Sequence, residues 1–321
     1  MFRIGIDLGG TKIAVGVVNT ETFEIVSKAQ VSTNLPAPPE KIVETIEHVT
    51  REAVKIANLT MKDIETIGIG TPGSVTDDGV IEFSSNFGFN NTPLKKMLEE
   101  RFLKPVYIEN DANCAAIGEC VAGCGHGVKN FIAVTLGTGV GGGIISNGKL
   151  ITGVNGAAGE IGHFVIAMDG HPCPCGRRGC FEQYASATAL IRQTKAALNQ
   201  DTNHESKMWE LISNDIEKVN GKVPFDAMNM GDEIAKNVVD RFIEHLACGV
   251  TSLVNIFQPD IVCIGGGLSK SGDDIIVPLR KIVEIERYTR HTDKQTEIYA
   301  ATLGNDAGII GAAINIDGWR N

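Results

Sequence analysis

Arg3-Ile4-Gly5-Ile6-Asp7-Leu8-Gly9-Gly10-Thr11-Lys12-Ile13-Ala14-Val15 opens the chain with two β-runs, Arg3–Leu8 and Ile13–Asn19, joined by a glycine turn. Glycines there permit positive φ and let a ligand approach the backbone closely. The pattern returns in the second half. Asn130–Leu136 passes through Gly137-Thr138-Gly139 into Val140–Ser146, which contains Gly141-Gly142-Gly143 and ends at the hairpin signal Asn147-Gly148. Two such units, one per half, can present backbone N–H groups to a polyphosphate from opposite sides, because oriented amides bind anions. One turn alone reads as an ordinary hairpin; the repetition points to phosphate. Neither turn is a Walker loop or the G-x-G-x-x-G of a dinucleotide-binding βαβ unit.

Outward from these turns the elements alternate. Glu24–Ser32 completes a three-strand meander, and Pro39–Ala57 carries Ile42, Ile46, Val49 and Ala53 at the spacing of an amphipathic helix. Strand-like Thr66–Gly70, a short helix over Thr92–Arg101 and strand-like Val106–Glu109 follow. Phe181 to Phe257 reads as mostly helical, with Ile234, Val238, Phe242 and Leu246 on one face of a long helix. Strand Asp260–Ile264 runs into Gly265-Gly266-Gly267, and strand Glu297–Ala301 precedes an apolar helix over Asp306–Ile316. At 321 residues the chain exceeds the usual size of one core, so two α/β lobes around a cleft are expected.

Glu109-Asn110-Asp111-Ala112-Asn113 falls at the C-terminal end of an apolar strand, where a helix over Ala112–Ala122 begins. Asp111 reads either as a plain helix N-cap or as a catalytic carboxylate. Ligands of α/β proteins gather outside the carboxyl ends of strands. A carboxylate there can accept the proton of an attacking hydroxyl, and phosphoryl transfer tolerates a weak base because its loose transition state demands little early proton removal.

His163, Cys173, Cys175 and Cys180 follow the spacing H-x9-C-x-C-x4-C, bracketed by Glu160 and Glu182. Three thiolates and an imidazole make a closed tetrahedral zinc site, and closed sites are structural. The metal is therefore expected to shape a loop, and the two carboxylates to touch the ligand. Cys120, Cys124 and His126 lack a fourth ligand nearby and read as thiols packed beside a helix.

Composition narrows the function classes. Hydrophobic residues are 43% and charged residues 21%, those of an ordinary globular protein. A formal net charge of −10 argues against a protein whose main partner is nucleic acid, since phosphate binding needs a basic face. No run approaches a membrane span. The chain starts on a strand rather than a signal peptide, and 8 cysteines are too sparse for a disulfide scaffold, so a reduced cytoplasm is expected.

The opening Asp7-x-Gly-Gly-Thr-Lys12, the Glu109–Asn113 run and Leu136-Gly-Thr-Gly139 occur together with Gly159-Glu-Ile-Gly-His163 and Cys173-x-Cys-Gly-x-x-Gly-Cys-x-Glu182. This set resembles the ROK family of bacterial sugar kinases and repressors, above all its glucokinases, over nearly the whole chain. The resemblance implies a two-lobed actin-like ATPase (ribonuclease H-like) fold, with lobes over 1–115 plus 304–321 and over 116–303, the second carrying the zinc loop. It implies ATP and a sugar in the cleft, with Asp111 as general base for the sugar 6-hydroxyl. Gly73, Asn86, Asn110, Glu160, His163 and Glu182 would hold the sugar. Asp7, Gly9, Gly10, Thr11, Lys12, Gly137, Thr138 and Gly139 would line the phosphates and Mg2+, and Gly265, Gly266 and Gly267 would lie near the adenosine. Zn2+ falls to His163, Cys173, Cys175 and Cys180, His163 serving twice, with one ring nitrogen on the metal and one toward the sugar. Phe89 stands where such glucokinases often carry Trp; the loop is expected to keep its packing.

Three function classes follow. The first is ATP-dependent phosphorylation of glucose at O6, with N-acetylmannosamine, N-acetylglucosamine, mannose or fructose as alternative sugars. The second is a repressor, against which stand the acidic charge and a start directly on the first strand. The third is a polymerising or chaperone-type actin-like ATPase, for which Glu160, His163 and Glu182 have no purpose. The family pattern also implies a homodimer.

Overall fold

The structure is a computed structural model that describes residues 1–84, 87–315 and 319, except for the side chain of residue 270. The first stretch forms β1 (Phe2–Leu8), β2 (Lys12–Asn19), β3 (Ile25–Ser32), α1 (Pro39–Ile56) and β4 (Ile64–Thr71). Next come β5 (Ser74–Val75), β6 (Ile81–Ser84), β7 (Phe89–Thr92), α2 (Leu94–Phe102), β8 (Val106–Asn110) and α3 (Asp111–Ala122). The chain continues through β9 (Phe131–Leu136), β10 (Val140–Ser146), β11 (Lys149–Leu150), α4 (Glu182–Ala185), α5 (Ala187–Gln200), α6 (Met208–Leu211), α7 (Val223–Asn229) and α8 (Glu233–Phe257). It ends with β12 (Ile261–Gly265), α9 (Asp273–Glu286), β13 (Glu297–Ala300) and α10 (Ala307–Ile314).

Two five-stranded sheets carry the same topology. The first has the order β3-β2-β1-β4-β8 and the second β11-β10-β9-β12-β13, so in each a meander is extended by two later strands beside its first strand. In the first sheet β1–β2 and β2–β3 pair antiparallel, while β1–β4 and β4–β8 pair parallel. In the second, β10–β11 is antiparallel and β12–β13 parallel. The repetition of glycine turns in the sequence is thus a repetition of whole sheets.

The chain divides into two compact units, one of residues 1–133, 143–159 and 302–321, the other of 134–142 and 160–301. In the first unit, Ile4, Ile6, Ile13, Val15, Ile67 and Ile69 pack with Ile42, Ile46, Val49 and Ala53 of α1 in one buried cluster. Phe89 belongs to it, 2% exposed and stacked on Phe87 at 5.1 Å, so the loop keeps its packing with phenylalanine at this position. Against the sheet lies α10. Gly5 and Gly68 are register partners on β1 and β4, and a Cβ on either would meet the backbone of α10, at 1.8 Å from Ile309 O and 1.7 Å from Ala312 O. Their bare backbone makes the flat patch on which this helix lies.

In the second unit, Phe181 is fully buried against α8, where a Cβ on Gly249 would meet its ring at 2.3 Å. A satellite cluster of Leu198, Met208, Ile212, Val223 and Ala235 closes the helical region. Among the described residues, no helix is long and apolar enough to cross a membrane.

Candidate active site

Each unit gathers its own part of the predicted site. In the first unit β8 ends at Asn110 and α3 begins at Asp111. The N-cap is Asn110, whose side-chain oxygen accepts from the N–H groups of Ala112 (2.9 Å) and Asn113 (3.3 Å). The plain N-cap reading of Asp111 therefore gives way to Asn110, and Asp111 holds the first helical position, with one oxygen on the Ala112 N–H at 2.9 Å. The other amide atom of Asn110 points to the carbonyl of Gly73 at 3.5 Å. Gly73 itself has φ +113°, and a Cβ there would fall 2.3 Å from Phe83 O, so only glycine fits. Behind them the buried Glu109 accepts from the Asn110 N–H at 2.8 Å and from the Asn113 amide at 3.0 Å, locking the strand-to-helix corner. No ligand role attaches to Glu109 in the sequence; its burial, 1% exposed, reveals it as scaffold.

Asp7 is the penultimate residue of β1 in the same unit. Burial raises its carboxyl above the ordinary 3.8, the charge of Asp111 raises it further, and Lys12 and Lys28 pull it back. Burial likewise raises Asp111, opposed by its backbone hydrogen bonds. A desolvated carboxylate is a better proton acceptor than one in water, and two such groups within each other's field favour a bound cation. Asn86 lies outside the described residues.

In the second unit the zinc-type ligands converge. Ligand atoms of His163, Cys173, Cys175 and Cys180 all lie within 4.8 Å of one another. The Cys175 and Cys180 sulfurs are 3.6 Å apart, and Cys173 Sγ is 3.7 Å from His163 Nδ1. A tetrahedral zinc with Zn–S of about 2.3 Å and Zn–N of about 2.0 Å places neighbouring ligands about 3.5–3.8 Å apart. The cluster fits that ion, and it selects Nδ1 as the ligating nitrogen. Burial pushes the Cys173 thiol up to about 12, which disfavours the free thiolate.

Glu182 sits beside this cluster. Its Oε1 accepts from Cys173 Sγ at 3.1 Å and lies 3.9 Å from His163 Nδ1. Its Oε2 lies where a Cβ on Gly139 would come, at 2.6 Å. A Cβ on Gly162 would meet Val140 O at 2.2 Å, so the Glu160–His163 turn packs onto the start of β10. A Cβ on Gly266, φ +87°, would fall 2.5 Å from the nitrogen of Leu136, which sets Gly265–Gly267 beside Gly137–Gly139. The Glu160 side chain is exposed. The second unit thus brings together both of its glycine turns, Glu160, His163, Glu182 and the thiol cluster.

Away from these groups, Cys120 is buried, Cys124 is partly so, and His126 Nδ1 bonds the Val121 carbonyl at 2.8 Å.

The family model of the ROK family matches residues 3–317. The chain belongs to the ROK family. It is 40% identical to a glucokinase of Halalkalibacterium halodurans over 96% of this chain and 92% of that one. A glucokinase of Thermotoga maritima is 39% identical over 97% and 95%. The crystal structure of a ROK family glucokinase from Streptomyces griseus in complex with glucose and AMPPNP superposes with a TM-score of 0.82 at 37% identity, covering 98% of both chains. The actin-like ATPase fold expected from the sequence is the fold of this ROK protein.

Proposed function

We propose that this ROK protein is a glucokinase, transferring the γ-phosphoryl of ATP to the 6-hydroxyl of glucose to give glucose 6-phosphate and ADP. The observation that carries the reading is Asp111, a desolvated carboxylate at the end of a parallel strand, freed from capping duty by Asn110. It takes the proton of the 6-hydroxyl as that oxygen forms its bond to the γ-phosphorus and the bond to ADP breaks. Asn110, Gly73, Glu160, His163 and Glu182 are the groups proposed to hold the remaining hydroxyls.

The turns Gly9–Lys12 and Gly137–Gly139 give their N–H groups to the phosphates, with Gly265–Gly267 near the adenosine. Asp7 would hold magnesium, which would supply positive charge to the phosphates. His163 Nδ1 and the thiolates of Cys173, Cys175 and Cys180 would hold zinc, which would order the loop and leave His163 Nε2 for a sugar hydroxyl. The net charge of −10 and the sparse cysteines, 8 in 321 residues, accord with work in a reducing cytoplasm on small molecules rather than DNA. The family pattern adds a homodimer, which sedimentation tests.

Glucose leads among sugars because a dense set of donors and acceptors suits a hydroxyl on every ring carbon, and such sites reject analogues that leave them unpaired. A coupled assay of ADP release over a panel of sugars tests this. The expected order of kcat/KM is glucose above 2-deoxyglucose, with ketohexoses poor. A higher value for N-acetylmannosamine or N-acetylglucosamine moves the substrate, and ADP release independent of any sugar overturns the kinase reading.

A further inference from the structure

The two glycine turns are braced from behind by the same pair of parts. In the first unit the Thr33 hydroxyl donates to the carbonyl of Gly9 at 2.7 Å, and the Thr33 N–H donates to the carbonyl of Thr11 at 3.0 Å. In the second unit the Thr188 hydroxyl donates to the carbonyl of Thr138 at 2.7 Å, and the Ala187 N–H donates to the carbonyl of Gly137 at 2.8 Å. Ala187 and Thr188 are the first two residues of α5, so one of these donors is an N–H that the helix itself leaves unused.

A peptide unit is planar and trans, so its N–H points opposite to its C=O. Holding the Gly9 carbonyl fixes the direction of the Gly10 N–H, and holding the Thr138 carbonyl fixes that of the Gly139 N–H. Both held peptides end on a glycine, whose tolerance of either sign of φ makes rotation of the whole peptide inexpensive. A threonine hydroxyl thus stands where each turn is softest.

The geometry points to Thr33 and Thr188 as a matched pair of positioning residues for nucleotide, which keep the Gly10 and Gly139 amides aimed at the phosphates without touching ATP. This rests on the reading of both turns as phosphate sites. Neither threonine is legible in the sequence, since they stand 24 and 50 residues from the carbonyls they hold.

Thr188 is exposed, so Thr188→Val removes the hydroxyl with little effect on packing; Thr33 is 3% exposed and its variant bears more on the fold. Thr188→Val is expected to raise KM for ATP about five- to tenfold, the worth of one hydrogen bond, with KM for glucose and Tm near wild type. Thr188→Ser keeps the hydroxyl and restores KM for ATP, which a merely packing role would not do. Thr33→Val and Thr33→Ser repeat the comparison in the first unit. Gly137→Asp tests the underlying reading, because a side chain there meets nothing within 4 Å and a carboxylate would repel phosphate. Loss of ATP affinity in Gly137→Asp with unchanged KM for ATP in Thr188→Val overturns the positioning role alone. Unchanged ATP affinity in Gly137→Asp overturns the phosphate reading and the positioning role with it.

Discussion

One carboxylate of Glu182 separates Cys173 from Gly139: Oε1 takes the Cys173 hydrogen bond at 3.1 Å while Oε2 fills the place of a Cβ on Gly139, at 2.6 Å. The thiol cluster and the glycine turn therefore share a wall. An alanine at 139 would push the flexible end of Glu182 away from its present place. We expect Gly139→Ala to raise KM for glucose about tenfold or more at saturating ATP, the scale of a hydrogen bond to a charged group. An unchanged KM for glucose would show that Glu182 does not hold the sugar.

Zinc is expected at about one ion per chain, because the four ligand atoms lie within 4.8 Å of one another and two of their separations, 3.6 and 3.7 Å, match those about a tetrahedral ion. Cys175→Ser or Cys180→Ser should lose that ion, with a lower Tm and a higher KM for glucose, since metal that orders a loop adds its binding free energy to the folded state. Elemental analysis measures the first outcome and calorimetry the second. A metal-free protein of full activity and wild-type Tm would end the zinc assignment.

Acid dependence follows from the raised carboxyls. A carboxyl whose folded value lies above its unfolded one binds more protons when folded, so its contribution to stability falls as pH rises from the unfolded value through the folded one. Above that window the cost of burying the charged Asp111 is complete; below about pH 4 it vanishes. Asp111→Asn, measured without ligands, should accordingly raise Tm at pH 7 and leave it near wild type at pH 3.5. A destabilised variant at pH 7 would mean that the carboxylate is held by favourable partners rather than strained by burial.

Much of this was legible where residue pattern and spacing carry the signal. The apolar period of Ile42, Ile46, Val49 and Ala53 marks α1, the paired glycine turns mark the two sheets, and the thiol spacing marks the cluster. Less legible were features set by distant contacts. Strands β5 to β7 are two to four residues long, too short for alternation to show. Helix α9 contains Pro278, which reads as a breaker. The expected lobe boundary after 115 falls inside α3, which stays whole in the first unit because α10 packs along it: a Cβ on Gly311 would lie 1.7 Å from Cys114 O. At the site, Asn110 and Asp111 are equally good caps by residue type, and only the hydrogen bonds of Ala112 and Asn113 decide between them.

The most direct measurement is the turnover of Asp111→Asn with glucose and magnesium-ATP, beside its affinity for glucose by calorimetry. The amide keeps the shape of the side chain and removes the proton acceptor. Affinity within about twofold of wild type and a kcat lower by about 10²–10⁴ is the predicted result. Turnover near wild type would contradict the assignment of Asp111 as the base and, with it, the mechanism proposed for this protein.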